Sequence, residues 1–422
     1  MREILLALLI LVALLLAVDV LAWRGLCRGL RLEAGSRARR GASAAFWGTA
    51  ALAFALLALG LLFARRGDDT AGWAIVSTVT VLYLPKVVVA AAALVDWSVA
   101  GLRRLAARLS TADPGRRAEL AARASGFRVF SLLGLGLAVV LYLHFLAGAT
   151  LGRNSLAVHR VDVPLAGLPE DLEGLVVAHV SDLHLASLRD RPELIRKMVA
   201  AVEDARPDLV VCTGDVAPVA GLDEGPEILG RLRAPLGTFA VAGNHDFGAA
   251  DSETAAWSSP EARDREVAAL KEAYARRGAR LLVNESARVD RGRAGLTLIG
   301  TGVFDEHHGY RDSDLEVASA GVDGVAVLLT HNPELWDREA VGRRQIALTL
   351  AGHTHGGQIG LEAGPLRLSL AGLSLRHWGG LYREAGQFLY VNRGVGVYGP
   401  PFRAGIPAEV ALIRLVRAAP PA

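Results

Sequence analysis

At 422 residues and a formal net charge of +3, the chain has room for more than one folded unit and offers no dedicated nucleic-acid surface. A mean hydropathy of +0.33 argues against a wholly soluble enzyme. Two cysteines, Cys27 and Cys212, exclude a disulfide scaffold and form no zinc-binding pattern.

The apolar excess lies at the N-terminal side. Four stretches approach or exceed the roughly twenty residues that a helix needs to cross a bilayer: Ile4–Trp23, Ala44–Phe63, Trp73–Val95 and Phe130–Leu151. Residues 1–151 are therefore expected to form a transmembrane region of about four helices. The first stretch is too long for a cleaved export signal and is followed by three more spans. Arg24, Arg28, Arg31, Arg37, Arg39 and Arg40 separate spans one and two, and Arg103, Arg104, Arg108, Arg116, Arg117 and Arg123 separate spans three and four. The short loop between spans two and three carries Arg65 and Arg66 against Asp68 and Asp69. Arg-rich loops stay cytoplasmic, so a multi-pass protein of the cell (inner) membrane is expected, with everything after Leu151 outside the cytoplasm. Asp19 and Lys86 fall at membrane depth and are expected to pair, fixing helix packing.

Residues 152–169 read as a connector, and 170–422 as a globular α/β domain. Gly174–Val180, Asp208–Thr213 and Thr238–Ala242 are short apolar runs typical of buried strands, with a helix over Pro192–Ala205 between the first two. Ala262–Arg277 has amphipathic helical spacing, and further strands are expected near Leu281–Val283, Leu296–Gly300, Val325–Leu329, Ile346–Leu350, Gln387–Asn392 and Glu409–Leu415. Several of these strands end in metal-ligand residue types. In open α/β sheets, sites form beyond the carboxyl ends of the strands.

Those endings are Ser181-Asp182-Leu183-His184, Gly214-Asp215, Gly243-Asn244-His245-Asp246, Thr330-His331 and Gly352-His353-Thr354-His355. Asp182 and His184, two apart at a strand end, can face one ion. Asp215 has two oxygens and can bridge two ions. Asn244 supplies a neutral oxygen, and His331, His353 and His355 supply imidazoles. Mixed imidazole and carboxylate donors suit Mn, Fe or Zn, with Mn favoured, over Ca or Mg. His245 is suited to give a proton to a leaving oxygen, with Asp246 orienting its ring. Gly214, Gly243 and Gly352 are expected where backbone must approach closely.

This series, D-x-H, G-D, G-N-H-D, H and G-H-x-H, resembles the calcineurin-like metallophosphoesterase superfamily over about Gly174 to Leu415. Gly352 to Gln358 is similar to the G-H-T-H-G-G-Q signature of an exported or membrane-anchored bacterial branch. The resemblance implies a four-layer α/β/β/α sandwich preceded by the transmembrane helices. It assigns Asp182, His184, Asp215 and His355 to one ion, and Asp215, Asn244, His331 and His353 to the other. The function expected is a membrane-anchored, two-metal phosphoesterase that hydrolyses a phosphodiester or pyrophosphate with a metal-bridging hydroxide. Tethering to the bilayer suggests a lipid-linked substrate. A cytoplasmic-facing pyrophosphatase of lipid A precursors and a catalytically inert membrane sensor or scaffold are the competing readings. Arg393 and Arg403 are candidate phosphate contacts, His307 and His308 candidate residues of a substrate mouth, and the sequence sets no oligomeric state.

Overall fold

A computed structural model describes residues 2–64, 69–110, 113–217, 221–222, 228–247, 257, 259–306, 309–364 and 366–418. His307, His308, Arg65, Arg66 and Asp68 lie outside the described residues. The chain divides into two compact units, Met1–Ala147 with Gly399–Pro401, and Gly148–Tyr398 with Phe402–Ala422.

The first unit holds helices α1 (Arg2–Leu30), α2 (Arg37–Ala64), α3 (Asp69–Ser110), α4 (Pro114–Ser125) and most of α5 (Val129–Thr150). Four of its helical stretches are long and apolar enough to cross a membrane. Helix α3 runs 42 residues with Pro85 inside it, well past the expected end at Val95, so Arg103, Arg104 and Arg108 sit on a helix and not in a loop. Helix α4 begins at a proline and is capped by Asp113, whose side chain accepts from the Gly115 amide at 2.9 Å. Asp96 caps α5 in the same manner, accepting from Phe130 N at 3.1 Å and Ser131 N at 2.7 Å.

The expected Asp19–Lys86 pair is formed, at 2.7 Å, with both side chains buried. Tyr83 donates its hydroxyl to the other Asp19 oxygen at 3.0 Å. The Lys86 ammonium also lies 4.8 Å from the Phe46 ring centroid and 4.7 Å from that of Tyr83. The pair joins α1 to α3 without a bare charge in hydrocarbon.

The second unit is built on two six-stranded sheets. Its elements in chain order are β1 (Leu156–Leu165), β2 (Val176–Val180), α6 (Leu185–Leu188), α7 (Pro192–Ala205), β3 (Leu209–Thr213), β4 (Thr238–Val241), α8 (Pro260–Arg276), β5 (Arg280–Leu281), β6 (Glu285–Arg291), β7 (Ala294–Gly300), β8 (Phe304–Asp305), β9 (Tyr310–Arg311), α9 (Leu315–Ala318), β10 (Ala326–Leu329), β11 (Ile346–Ala351), β12 (Gly360–Ala363), β13 (Leu366–Ser369), β14 (Gly380–Glu384), β15 (Gln387–Val391) and β16 (Ala408–Arg417). One sheet runs β1-β16-β2-β3-β4-β5 and the other β14-β15-β11-β10-β7-β6. Strands β2, β3 and β4 are parallel neighbours in the first, and β7, β10, β11 and β15 in the second.

Three apolar clusters establish the layering. Val177, Val211, Phe239 and Ile413 from one sheet meet Leu298, Val327, Leu350 and Phe388 from the other in a core between them. On the first sheet's opposite face, Val180, Val210 and Ala240 pack with Leu194, Met198 and Val202 of α7 and with Leu270 and Tyr274 of α8. On the second sheet's opposite face, Ile299, Leu328 and Leu389 pack under Leu315 of α9 and the fully buried Trp336. This is the α/β/β/α order, with a thin last layer of one short helix and one turn.

The segment expected as a connector holds β1 instead. It pairs in parallel with β16 over ten residues, from Leu156↔Ala408 to Leu165↔Arg417. Its His159, Arg160 and Asp162 give an edge strand the polarity of a linker, and the buried residues, Val163 and Leu165, cluster at its end.

The membrane unit yields one quantitative expectation. Replacing Lys86 alone by Met strands a buried carboxylate and should lower stability by about 3 kcal/mol. The double change Asp19→Leu with Lys86→Met should recover most of that loss. Thermal unfolding of the detergent-purified chain measures both, and additive losses in the double variant would refute the pairing argument.

Candidate metal centre

The five ligand-bearing blocks follow β2, β3 and β4 of one sheet and β10 and β11 of the other, so the site forms where the carboxyl edges of both sheets meet. Backbone bonds interlock the blocks: Asp182 N donates to Gly214 O at 2.9 Å, His184 N to Asp215 O at 2.9 Å, and Gly352 N to His331 O at 2.9 Å. The turn Asn392–Gly396 joins them, with Gly396 N donating to Asp182 O at 2.8 Å.

Two groups of donor atoms result. Asp182, His184, Asp215 and His355 each offer an atom within 4.8 Å of the others, and so do Asp215, His331 and His353. One oxygen belongs to both groups: Asp215 Oδ2 lies 3.5 Å from His184 Nε2 and 3.2 Å from His331 Nε2. The other oxygen, Oδ1, accepts from the His245 amide at 2.8 Å. Asp182 Oδ1 lies 3.4 Å from His355 Nε2.

Ring nitrogens face one another in both groups. His184 Nε2 and His355 Nε2 are 3.1 Å apart, as are His331 Nε2 and His353 Nδ1. Two imidazole lone pairs at that distance require a proton or a cation between them. His331 Nδ1 donates to Thr213 O at 2.7 Å, which aims Nε2 at the Asp215 carboxylate.

Asn244 is buried, and its Oδ1 has no hydrogen-bond partner. An amide oxygen shut away from water without a donor costs free energy that a cation ligand would recover. Two carboxylates, four imidazoles and this oxygen are a donor set for divalent cations.

Burial and mutual charge shift the titration of these groups in opposite directions. Burial pushes the Asp182 carboxyl up to about 7, with His331 pulling down and Asp215 pushing up. Burial also works against ionisation of Asp215, but His331, His245 and His184 hold it well below the ordinary carboxylate range. Burial opposes charge on His331, and the Asp215 carboxylate overrides it, raising that imidazole to about 10. Burial lowers His184 to about 3 and His353 to about 4, leaving them neutral, the ligating form.

The backbone is strained at this same place. Asp182, His184, Asp215, His353 and His355 have φ of 50°, 40°, 53°, 69° and 51°, in the left-handed region that costs about 1–3 kcal/mol per non-glycine residue. The glycines answer a different need. A Cβ on Gly243 would fall on the Asp215 carboxylate, and one on Gly352 on Ser181 Oγ and Asp182. The close approaches expected from the sequence are therefore real.

Asp246 departs from expectation. Its carboxylate does not orient the His245 ring. Oδ2 accepts from Asp215 N at 2.9 Å and Gly243 N at 2.8 Å, and Oδ1 from Val216 N at 2.7 Å and Ala217 N at 2.9 Å. Asp246 is a buried clamp that fixes the Asp215 turn against the Gly243 turn. Sequence adjacency to His245 suggested otherwise, because the four amides come together only in three dimensions.

Arg393 and Arg403 depart in a similar way, since both are buried. Arg393 pairs with Glu409 and, at 2.7 Å, with Glu362. Arg403 donates to Gly396 O at 2.6 Å, Arg393 O at 2.9 Å and His355 O at 3.2 Å. They brace the ligand loops.

Tyr398 escaped the sequence reading. Its ring centroid lies 4.4 Å from that of His245 and 5.7 Å from that of His184. Gln358 fixes it from both sides, donating to Tyr398 O at 2.6 Å and accepting from Tyr398 N at 3.0 Å. The only sequence signal was that Gln358 closes the G-H-T-H-G-G-Q signature.

Residues 175–357 match the calcineurin-like phosphoesterase family, and residues 1–153 match a probable calcineurin-like phosphoesterase transmembrane domain. A transmembrane protein with metallophosphoesterase domain from Danio rerio is 32% identical over 331 residues, covering 75% of this chain and 69% of that protein. The chain belongs to the calcineurin-like metallophosphoesterases. Its similarity to the protein of the same description from Bos taurus is 31% identity over 63% of this chain and 58% of that one. An uncharacterized metallophosphoesterase from Aquifex aeolicus is 30% identical over 62% of this chain and 92% of its own length. This metallophosphoesterase is thus a membrane protein and a metal-dependent phosphoester hydrolase with an Asp/His site for divalent cations.

The clamp role of Asp246 is testable in this metallophosphoesterase. Asp246→Ala strands four buried amide donors, at about 1–3 kcal/mol each, and should lower the melting temperature sharply. His245→Ala should leave it within a few degrees. Comparable melting shifts in the two variants would contradict the assignment.

Proposed function

We propose that this metallophosphoesterase hydrolyses a phosphodiester or pyrophosphate with a pair of divalent metal ions, Mn favoured over Fe or Zn. Asp182, His184, Asp215 and His355 would hold one ion, and Asp215, Asn244, His331 and His353 the other. The observation that carries the reading is the single Asp215 oxygen shared by two donor groups, with the orphaned Asn244 oxygen beside them. When bound, such an ion pair supplies Lewis-acid charge that activates a water and neutralises the phosphoryl oxygens.

The chain's own residues supply the rest. His245 is fixed at its amide by Asp215 and at its ring by Tyr398. It stands beside the ligand His184, with ring centroids 5.3 Å apart. From there its imidazole gives a proton to the leaving oxygen as the phosphorus–oxygen bond breaks. Arg403 keeps His355 and the Gly396 turn in place, so neither loop must reorganise during the step.

Supplied with Mn, the purified chain should hydrolyse bis-p-nitrophenyl phosphate, and a chelator should stop it. Asp215→Asn should reduce kcat by more than about a hundredfold. His245→Ala should cost about 10²–10⁴-fold on an alkyl leaving group, but far less on nitrophenol, which departs without a proton. Full activity after metal removal, or equal losses on both leaving groups, would overturn the respective assignment.

A lipid-linked substrate is supported by the hairpin β12–β13, which directly follows the His355 turn. Leu361 opposes Leu368, and Glu362 opposes Arg367. On the other face the half-buried Glu362 is bonded to Arg393, and the exposed Arg367 lies 4.7 Å from the Trp378 ring centroid. Leu361, Leu366 and Leu368 are exposed, as are Leu370 and the 85% exposed Leu373. An exposed apolar face beside a catalytic turn suits acyl chains. Leu361→Ser with Leu368→Ser should raise KM severalfold for a lipid diphosphate presented in micelles and leave soluble bis-p-nitrophenyl phosphate unaffected. Unchanged kinetics on both would remove the support.

The arginine distribution supports a catalytic unit outside the cytoplasm, at the inner membrane. A C-terminal alkaline phosphatase fusion should be active. A fluorescent GFP fusion with inactive alkaline phosphatase would favour the cytoplasmic-facing pyrophosphatase instead.

A further inference from the structure

We propose that the Arg-rich end of the membrane unit carries a second ligand site, for the phosphate of an anionic phospholipid, formed by Arg24, Arg28 and Arg39 between Trp23 and Trp97. These residues line a cavity of about 530 Å³ together with Cys27, within the size range of small-ligand sites. All six belong to one unit. Arg24 and Arg28 occupy the last turns of α1, Arg39 the first turn of α2, and Trp97 the C-terminal half of α3.

Charge sets this cavity apart. No carboxylate lines it, and none of the three arginines forms an ion pair among the described residues, although elsewhere arginines commonly do, as in Arg123–Glu119. The acid next to the cavity, Asp96, spends both oxygens on the α5 amides. Arg28 is pinned through Nε and Nη2 to Phe127 O, and Arg39 reaches Leu32 O through Nη1 at 3.4 Å. Donors remain on each guanidinium. Three converging cations at the edge of an apolar bundle repel one another unless an anion joins them, and guanidinium groups are shaped to share a phosphate.

The surroundings favour a lipid over a free anion. The half-buried Trp23 and Trp97 are the amphipathic rings that settle at headgroup depth. Leu30 on α1 and Leu94 and Val95 on α3 are exposed close by in the sequence, as acyl-facing residues would be. Basic pockets between spanning helices take anionic headgroups on these grounds. The site is separate from the hydrolytic centre and does not depend on its assignment.

The test is native mass spectrometry of the full chain in neutral detergent, titrated with phosphatidylglycerol, phosphatidylcholine or inorganic phosphate. Phosphatidylglycerol should bind in preference to phosphatidylcholine. R24Q with R39Q should weaken it by about fivefold per arginine removed, while R24K with R39K keeps most of the affinity. Trp97→Leu, which leaves every charge in place, should weaken it severalfold and decides the matter if the glutamine variant does not fold. Equal binding of the two lipids, undiminished phosphatidylglycerol binding in R24Q/R39Q or in Trp97→Leu, or displacement of the lipid by millimolar inorganic phosphate would each overturn the proposal.

Discussion

One carboxylate oxygen organises the catalytic unit. Asp215 Oδ2 stands between His184 and His331 and so belongs to two donor groups at once. Its partner oxygen is taken by the His245 amide, which fixes the carboxylate plane. The turn that carries Asp215 is held in turn by Asp246, through amides on both sides of the gap between β3 and β4. Remove the clamp and the shared oxygen has no fixed position.

This arrangement is costly in the polypeptide alone. Five of the residues that face the donor groups adopt left-handed backbone, and burial works against every charged form there. The surrounding fold offsets that cost with long-range bonds. Tyr390 on one sheet bonds Glu409 on the other, and Asn392 donates to His179 O at 2.8 Å. These ties keep the two carboxyl edges in register. His331 does the same through Thr213 O, so a candidate ligand is also an inter-sheet strut. Pre-organisation of this kind lets the site present neutral His184, His353 and His355 beside an ionised Asp215 without rearrangement.

The membrane unit uses the same economy of charge in a different solvent. Asp19 and Lys86 neutralise each other inside the bundle, and Asp96 is consumed by a helix N-terminus. Against that background the uncompensated Arg24, Arg28 and Arg39 are conspicuous.

The sequence by itself determined the donor types, their order and the four apolar spans, because those depend on residue identity and on runs of adjacent residues. The Asp-x-His spacing also determined that Asp182 and His184 serve one donor group. Tertiary structure alone decided the rest. It revealed the order and pairing of strands within each sheet, that β1 completes one of them across ten residues of β16, that Asp246 clamps amides, and that Arg393 and Arg403 brace loops. Tyr398 reached the His245 ring by the same route. Each of these depends on partners distant in the chain, whose meeting is set by sheet register and loop packing, and a local pattern of residues carries no record of either.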